Sequence, residues 1–493
     1  MKFETRRTWK NIAENQVAEP LRIYKPDSLE QIIEIIREAE RRRVRVRAIG
    51  SGHAWSDVGL TTGFLVKPDR LNRVIPLDTS LLNEDVDTST LFHIESGMRI
   101  RELNEELDRR GLALSNMGGY DGQTYVGAMS TSTHGSGLEF GPLSDFVETV
   151  EIVSDGGGVY RIEPTNGITN RSEYEKKYPD QKVRKLIQDD DWFNAVVVSM
   201  GCMGIIYSVI LRVTEKYWLK EVRTLSTWDK VKEDLRKGRV LADNRHYEVL
   251  INPYKVGGVH RCLITTRNPT GPPRNKPHDK LNRNYLTELL ASLPFIRQVL
   301  NLVLDLLPEI TPELMNSAME GLVDDEYINV SYKVLNIGTA NRVTAYSAEI
   351  GFPLKENKYI DAVDKFLEMA EELKPVGVVF LSSPISLRFV TASNAFLSPQ
   401  YGYDTCMVEI IALKGTQGYF EMIEQFENVL YGFSGRPHWG QVNSLTASHN
   451  LIDSMYPKYH KWIDVNRQLN KNGMFDSSFS KRVGFTEHTF LPS

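Results

Sequence analysis

The sequence predicts an α+β protein of more than one unit, and three observations carry that prediction. A short strand, an amphipathic helix and a second strand run into a glycine turn near residue 50. A stretch rich in glycine and hydroxyl residues follows between residues 118 and 141. After about Glu215 the pattern changes to alternating apolar and polar segments with helices between them, the signature of an antiparallel sheet flanked by helices. With 493 residues the chain exceeds one usual core, so two domains and a tail are expected. The boundaries read as 1–215, 216–435 and 436–493, the tail being too poor in apolar residues to stand alone.

The first unit opens with a strand at Arg22 to Tyr24. Ser28 then serves as helix N-cap with Gln31 at N3, a capping box. Leu29, Ile32, Ile33, Ile36 and Ala39 fall at helical spacing, and Arg41 to Arg43 close the last turn, where cations suit the dipole. The alternating run Val44 to Arg47 leads into Ile49-Gly50-Ser51-Gly52-His53-Ala54-Trp55. Glycines there let successive N–H groups converge on an anion such as a pyrophosphate, with an imidazole at the tip. Trp55 stands where a G-x-G-x-x-G fingerprint needs its third glycine, and Val58 to Lys67 reads as strand rather than helix, so a Rossmann arrangement is excluded.

The stretch from Gly118 to Gly141 buries too little apolar surface to offset its ordering entropy. It is either a loose surface loop or a wrap around something polar. Strand-like flanks at Val126 to Met129 and Phe146 to Val153 embed it in the fold and favour a phosphate-rich ligand. Val196 to Met200 reads as a strand, Gly201 to Gly204 as a turn and Ile205 to Val213 as another strand. In the second unit, strands are expected at His246 to Asn252, Arg261 to Thr266, Ile328 to Val334, Ala345 to Phe352, Gly377 to Leu381 and Met407 to Leu413. Helices are expected at Asn357 to Leu373 and Gly418 to Leu430. Pro269 to Pro273 reads as a mobile loop, and a helical insertion at about 268–325 covers the sheet, forms a lid or makes a dimer contact.

Composition narrows the function. A net charge of −5 without a basic stripe argues against nucleic acid. Three distant cysteines, Cys202, Cys262 and Cys406, form no C-x-x-C, which argues against a disulfide framework or a zinc site, and no metal is expected. Met1 to Arg7 has no apolar signal segment and no apolar run reaches membrane length, so the chain reads as soluble and cytoplasmic. Whether it is a monomer or a homodimer is not legible.

Gly50-Ser51-Gly52-His53, then Ser130 to Gly137, then Arg436-Pro437-His438-Trp439-Gly440 occur in that order. Together they resemble the vanillyl-alcohol-oxidase-type (PCMH) flavoproteins, in particular the sugar-lactone and alditol oxidase branch. The resemblance implies an N-terminal FAD domain, a substrate domain on an antiparallel sheet and a tail returning to the FAD domain. It implies FAD bound covalently through His53, hydride transfer from a carbinol carbon to flavin N5, and O2 as acceptor with release of H2O2. Cofactor contacts are carried over to Ile49, Gly50, Ser51, Gly52, His53 and Ala54. They extend to Gly118, Thr124, Gly127, Ser130, Ser132, Thr133, His134 and Gly135, and further to Gly204, Ile206 and His438. His134 is expected to orient the hydroxyl-rich loop. A small residue at Gly127 implies oxidase rather than dehydrogenase chemistry.

The chain departs from that branch in three places. Ser386-Leu387-Arg388 replaces a Glu-x-Arg pair, Gln441 replaces a lysine after His-Trp-Gly, and Glu409 stands where a histidine is common. Ser386, Arg388, Glu409 and Gln441 are therefore the expected catalytic positions. Arg388 would balance reduced flavin or bind the substrate oxygen, and Glu409 would accept the hydroxyl proton or bind a hydroxyl. Glu349 is a further candidate. Strand alternation places Met407, Glu409 and Ile411 on one face and Ser386 with Arg388 on another. The leading reading is an oxidase of a polyol, sugar or lactone-like alcohol. The alternatives are a biosynthetic oxidase of a less polar alcohol or amine, and a non-redox flavin-fold carrier or cyclisation scaffold.

Overall fold

The computed structural model describes residues 2–275, 310–323, 326–338, 345–373, 381–416 and 418–486. Strand β1 (Arg22–Tyr24), helix α1 (Leu29–Arg42), β2 (Val46–Ala48) and β3 (Phe64–Val66) build the first layer, with β1 and β2 both parallel to β3. Ser28 Oγ accepts the Gln31 N–H at 3.4 Å, whereas the Gln31 side chain reaches the N–H of Asp27, one residue short of a closed box. Ile35, not Ile33, joins Leu29, Ile32, Ile36 and Ala39 on the buried face.

The second layer holds β4 (Leu91–Glu95), α2 (Tyr125–Met129), β5 (Val147–Val153), β6 (Val159–Glu163), β7 (Arg184–Gln188), α3 (Asp190–Val196) and β8 (Ile205–Arg212). Its strands run in the order β7-β6-β5-β8-β4, antiparallel except for β6 with β7.

Two segments expected as strands take other forms. Val126 to Met129 forms one helical turn because Thr124 Oγ1 accepts the Gly127 N–H and Ser130 Oγ returns to the Val126 carbonyl. Val196 ends α3, whose cap Asp189 accepts the Trp192 N–H, and Val197 to Met200 is a turn. Short buried apolar runs do not distinguish strand from helix by period.

The chain from Trp218 onward contributes β9 (Trp218–Thr227), α4 (Trp228–Arg236), β10 (His246–Val256), β11 (Val259–Thr270), α5 (Thr311–Glu320), β12 (Tyr327–Val330), β13 (Ala345–Pro353), α6 (Lys358–Leu373), β14 (Ile385–Val390), β15 (Thr405–Leu413), α7 (Tyr419–Leu430) and β16 (Arg436–Pro437). Among the described residues these strands form an antiparallel sheet of eight, ordered β12-β9-β11-β10-β14-β15-β13-β16. Pro269 and Thr270 pair with β9 instead of forming a loop, and Ser331 to Leu335 is a short helix instead of strand. Most of the expected insertion (276–309) and of the expected strand at Gly377 to Leu381 lies outside the described residues.

One face of this sheet is apolar. Val249, Leu387, Val408 and Ile350 pack there against Val231 of α4, Val363 and Phe366 of α6 and Phe426 of α7. The other face meets the glycine and hydroxyl loop: Gly137 N donates to Phe389 O at 2.6 Å and Ser136 Oγ to Tyr247 O at 2.8 Å. The chain then returns. Helix α8 (Tyr459–Leu469) lies beside α3, Trp462 Nε1 donates to Val198 O at 3.1 Å, and Val46 N donates to Met474 O at 2.9 Å. Among the described residues no helix is long and apolar enough to cross a membrane.

Candidate active site

Both loops and the polar face of the eight-stranded sheet line one cavity of about 690 Å³. The glycine turn after β2 is pinned from below by Arg47. Its guanidinium, almost fully buried, donates to the carbonyls of Val58 (2.7 Å), Met200 (2.6 Å), Gly201 (3.0 Å) and Phe475 (3.3 Å). From above, Trp55 N donates to Gly440 O at 2.8 Å and Ser56 Oγ to Trp439 O at 2.6 Å. Among the described residues, the amide N–H groups from Gly50 to Ala54 donate to no protein acceptor. A run of free amides at a turn without side-chain bulk suits a phosphate-bearing ligand.

The second loop approaches the first where side chains are absent. A Cβ on Gly50 would sit 2.2 Å from Thr124 Oγ1, and one on Gly127 would sit 2.7 Å from the same oxygen. His53 stands at the rim with its ring 4.2 Å from that of Tyr120, and its buried Nε2 has no hydrogen-bond partner. Burial, with Arg101 and Arg99 nearby, lowers its pKa to about 4, so the ring is neutral at pH 7. These features fit a dinucleotide cofactor held by the two loops.

Across the sheet, charged side chains alternate on one face. Arg267 of β11 meets Glu221 of β9 at 2.7 Å and Glu248 of β10 at 2.8 Å. Arg388 of β14 lies 4.0 Å from Glu248, 3.1 Å from Glu409 of β15 and 4.0 Å from Glu349 of β13. Ser386 pairs directly with Glu409, which pairs directly with Glu349, so Ser386, Arg388, Met407, Glu409 and Ile411 share a face rather than two. The carboxylate absent at Ser386 is thus met from the next strand. Ser386 itself is buried outside the cavity lining.

The two central carboxylates differ. Burial pushes Glu409 above the ordinary glutamate value, against the pull of Arg388, while the neighbouring Glu349 charge adds to the rise. Burial also opposes ionisation of Glu349, but His134, with Nε2 at 3.3 Å, together with His438 and Arg388, holds that carboxyl well below the usual range. His134 Nδ1 meets the Gly135 carbonyl at 2.8 Å. Burial lowers His438 to about 4, and its Nδ1 accepts the Gly440 N–H at 3.1 Å, which assigns the remaining proton to Nε2. Ser347 Oγ donates to Glu409 Oε1 at 2.9 Å, and the buried Gln441 Oε1 has no partner.

Of the expected contacts, Ile49 to Ala54, Gly118, Thr124, Gly127, Ser130, Thr133, His134, Gly204, Ile206, Arg388, Glu409, His438 and Gln441 line the cavity. Ser132 and Gly135 do not. Ser132 Oγ is engaged by Ser398 and Gln400 at 2.9 and 3.1 Å, and Gly135 is closed in by Asn116. Tyr120, Ser347, Leu314 and the N-terminal residues Trp9 and Ile12 line it without having been singled out. Tyr120 carried a signal, as the aromatic residue amid glycines. Trp9 carried none, since Asn11, Asn15 and Gln16 hold its hairpin against the Ala54 and Trp55 carbonyls through contacts remote in sequence.

The family model described as D-arabinono-1,4-lactone oxidase matches residues 209–483, and that of an FAD binding domain matches residues 20–163. The chain belongs to the D-arabinono-1,4-lactone oxidase family. It is an FAD-dependent oxidoreductase. It is 26% identical over 478 residues to an L-gulono-1,4-lactone dehydrogenase of Mycobacterium tuberculosis, covering 96% of this chain and 98% of that one. It is 24% identical over 479 residues to L-gulonolactone oxidase of Mus musculus, with the same coverage of 96% and 98%. A solvent-stable cholesterol oxidase structure shares the fold with a TM-score of 0.74 at 14% identity, over 97% of both chains.

Proposed function

We propose that this family member oxidises a carbinol carbon of a polyol, sugar or lactone-like alcohol, with O2 as acceptor. Bound FAD would supply the two-electron chemistry, taking the carbinol hydrogen as hydride and returning the electrons to O2 as H2O2. The glycine turn and the hydroxyl-rich loop hold the cofactor. Arg388 binds the substrate oxygen or balances negative charge on the ring. Glu409 accepts the hydroxyl proton, since its raised pKa keeps it a stronger base than Glu349 beside it. Neutral His438 and the free Gln441 oxygen orient polar groups. Gly127 lines the cavity without a side chain, which supports access by O2. We further propose a division of the chain near residues 215 and 435 and a reducing compartment such as the cytoplasm, a reading with which three buried free cysteines are compatible.

The observation that carries this reading is the meeting of Arg388, Glu409 and Glu349 with the two cofactor loops in one cavity. His53 would hold the flavin covalently: its neutral, unpartnered nitrogen would bond to the 8α-methyl carbon as the N–H and one methyl C–H each lose a proton, and the two electrons released would pass through the flavin to O2. The test mixes purified protein with a panel of alcohols and follows peroxide release, then runs a denaturing gel viewed by flavin fluorescence. Peroxide with at least one alcohol, and a fluorescent band lost in His53→Ala, are the expected results. Protein that takes up no FAD would overturn the assignment, and a dark wild-type band would overturn the covalent bond.

A further inference from the structure

The cavity floor changes character along the strands. Cross-strand pairs define its rows: Glu349 with Glu409, then Ser347 with Ile411, then Ala345 with Leu413. All six residues line the cavity, and the floor passes from two carboxylates to two apolar side chains. Leu413 lies four residue steps along the strand from Glu409, a length of about 13 Å. That exceeds the reach of one sugar ring.

A second stretch of the cavity wall is also largely apolar. Helix α5 presents Thr311, Leu314, Met315 and Ala318 to the cavity, the i, i+3, i+4, i+7 stripe of one face. The stripe is fixed in place, because Asn252 Nδ2 of β10 donates to Pro312 O and to Asn316 Oδ1, both at 2.8 Å. Ser347 and Ser382 also line the cavity, but their hydroxyls are engaged within the protein, by Glu409 and by Thr416 with Leu413 N. Thr311 and Ser383 are the remaining hydroxyls there among the described residues.

We propose that the substrate is an amphiphilic alcohol: a carbinol at the Arg388–Glu409 end, carried on an apolar ring or chain that meets the cavity side chains of Ile411, Leu413, Leu314 and Ala318. The proposal rests on the alcohol-oxidising part of the reading above and replaces its polyol, sugar or lactone-like substrate by a less polar alcohol. Among the described residues a fully hydroxylated ligand would find only Thr311, whose buried Oγ1 has no partner, and Ser383 there, so most of its distal hydroxyls would lose water without gaining partners. A matched alcohol with an apolar body pays no such penalty.

The experiment has two arms on the FAD-loaded protein. The first follows flavin bleaching under anaerobic mixing with L-gulono-1,4-lactone and xylitol on one side, and with 2-decanol and 1-cyclohexylethanol on the other. The amphiphilic alcohols are expected to show kcat/KM roughly 10- to 100-fold higher. A lactone or polyol that reduces the flavin faster than both would overturn the proposal. The second arm measures binding without turnover, by the shift of the flavin spectrum on titration with 2-decanone or the lactone. Tighter binding of 2-decanone while no alcohol bleaches the flavin would uphold the apolar site and sink the redox reading instead; tighter binding of the lactone would sink the proposal. Leu314→Ser and Ile411→Thr, each checked for full FAD content, should lower the amphiphile-to-polyol ratio by roughly fivefold. An unchanged ratio in both would also overturn it.

Discussion

Arg388 sets one positive charge among three carboxylates, those of Glu409, Glu349 and Glu248, all within 4.0 Å. One of the three must therefore be the easiest to protonate, and the pKa directions select Glu409. Because its pKa is raised, Glu409 is ionised and active at higher pH, and activity is lost as pH falls through a value above that of an ordinary glutamate. Glu409→Gln is expected to lower kcat by about 10²-fold or more and to remove this acid limb from the pH–rate profile. A mutant that keeps the limb would assign the proton to another group. Gly50→Ala is a different kind of residue effect: its methyl would enter the space of Thr124 Oγ1, so purified protein should carry much less FAD, read from the ratio of absorbance at 450 and 280 nm. The motif order made Arg388, Glu409 and the glycines legible in the sequence. Ser386 was misplaced because a motif match records a position, not which neighbouring strand supplies the missing carboxylate.

At the scale of elements, the strand–helix–strand start and most strands of the large sheet were legible because their period is strong. The turn of helix at Tyr125–Met129 was not, since its stability comes from the hydroxyl caps Thr124 and Ser130 and from tertiary packing rather than from a period. Arg47 looked like the polar half of an alternating strand, yet it is 1% exposed and joins four carbonyls from three separate segments. Arg47→Met should destabilise the protein by about 3 kcal/mol or more, because buried carbonyls lose their donor. The urea midpoint is the measurement, and a change under about 0.5 kcal/mol would show that water replaces the guanidinium.

Across the whole molecule, a buried staple links the sheet domain to the returning tail. Glu427 of α7 accepts from Ser444 N at 2.6 Å and Ser444 Oγ at 2.5 Å. Burial raises its pKa from 4.5 to about 7. Folding thus favours the protonated form: the stabilisation is complete below about 4.5 and is lost as pH rises through about 7. Glu427→Gln keeps the acceptor and removes the ionisation. Its stability relative to wild type should grow by about 3 kcal/mol between pH 4.5 and pH 8. Parallel denaturation midpoints over that range would refute the linkage. Nothing in the local sequence marks Glu427, because its burial arises from a segment that arrives later in the chain.

That late arrival has a consequence for biogenesis. His438, Gly440 and Gln441 form part of the cavity wall, and the strand leading into the glycine turn is held by Met474. A nascent chain on the ribosome therefore possesses both glycine-rich loops long before it possesses the wall that closes over them. The cavity is therefore expected to close only once the last tail residues have emerged, and a chain cut short before His438 is expected to retain no flavin.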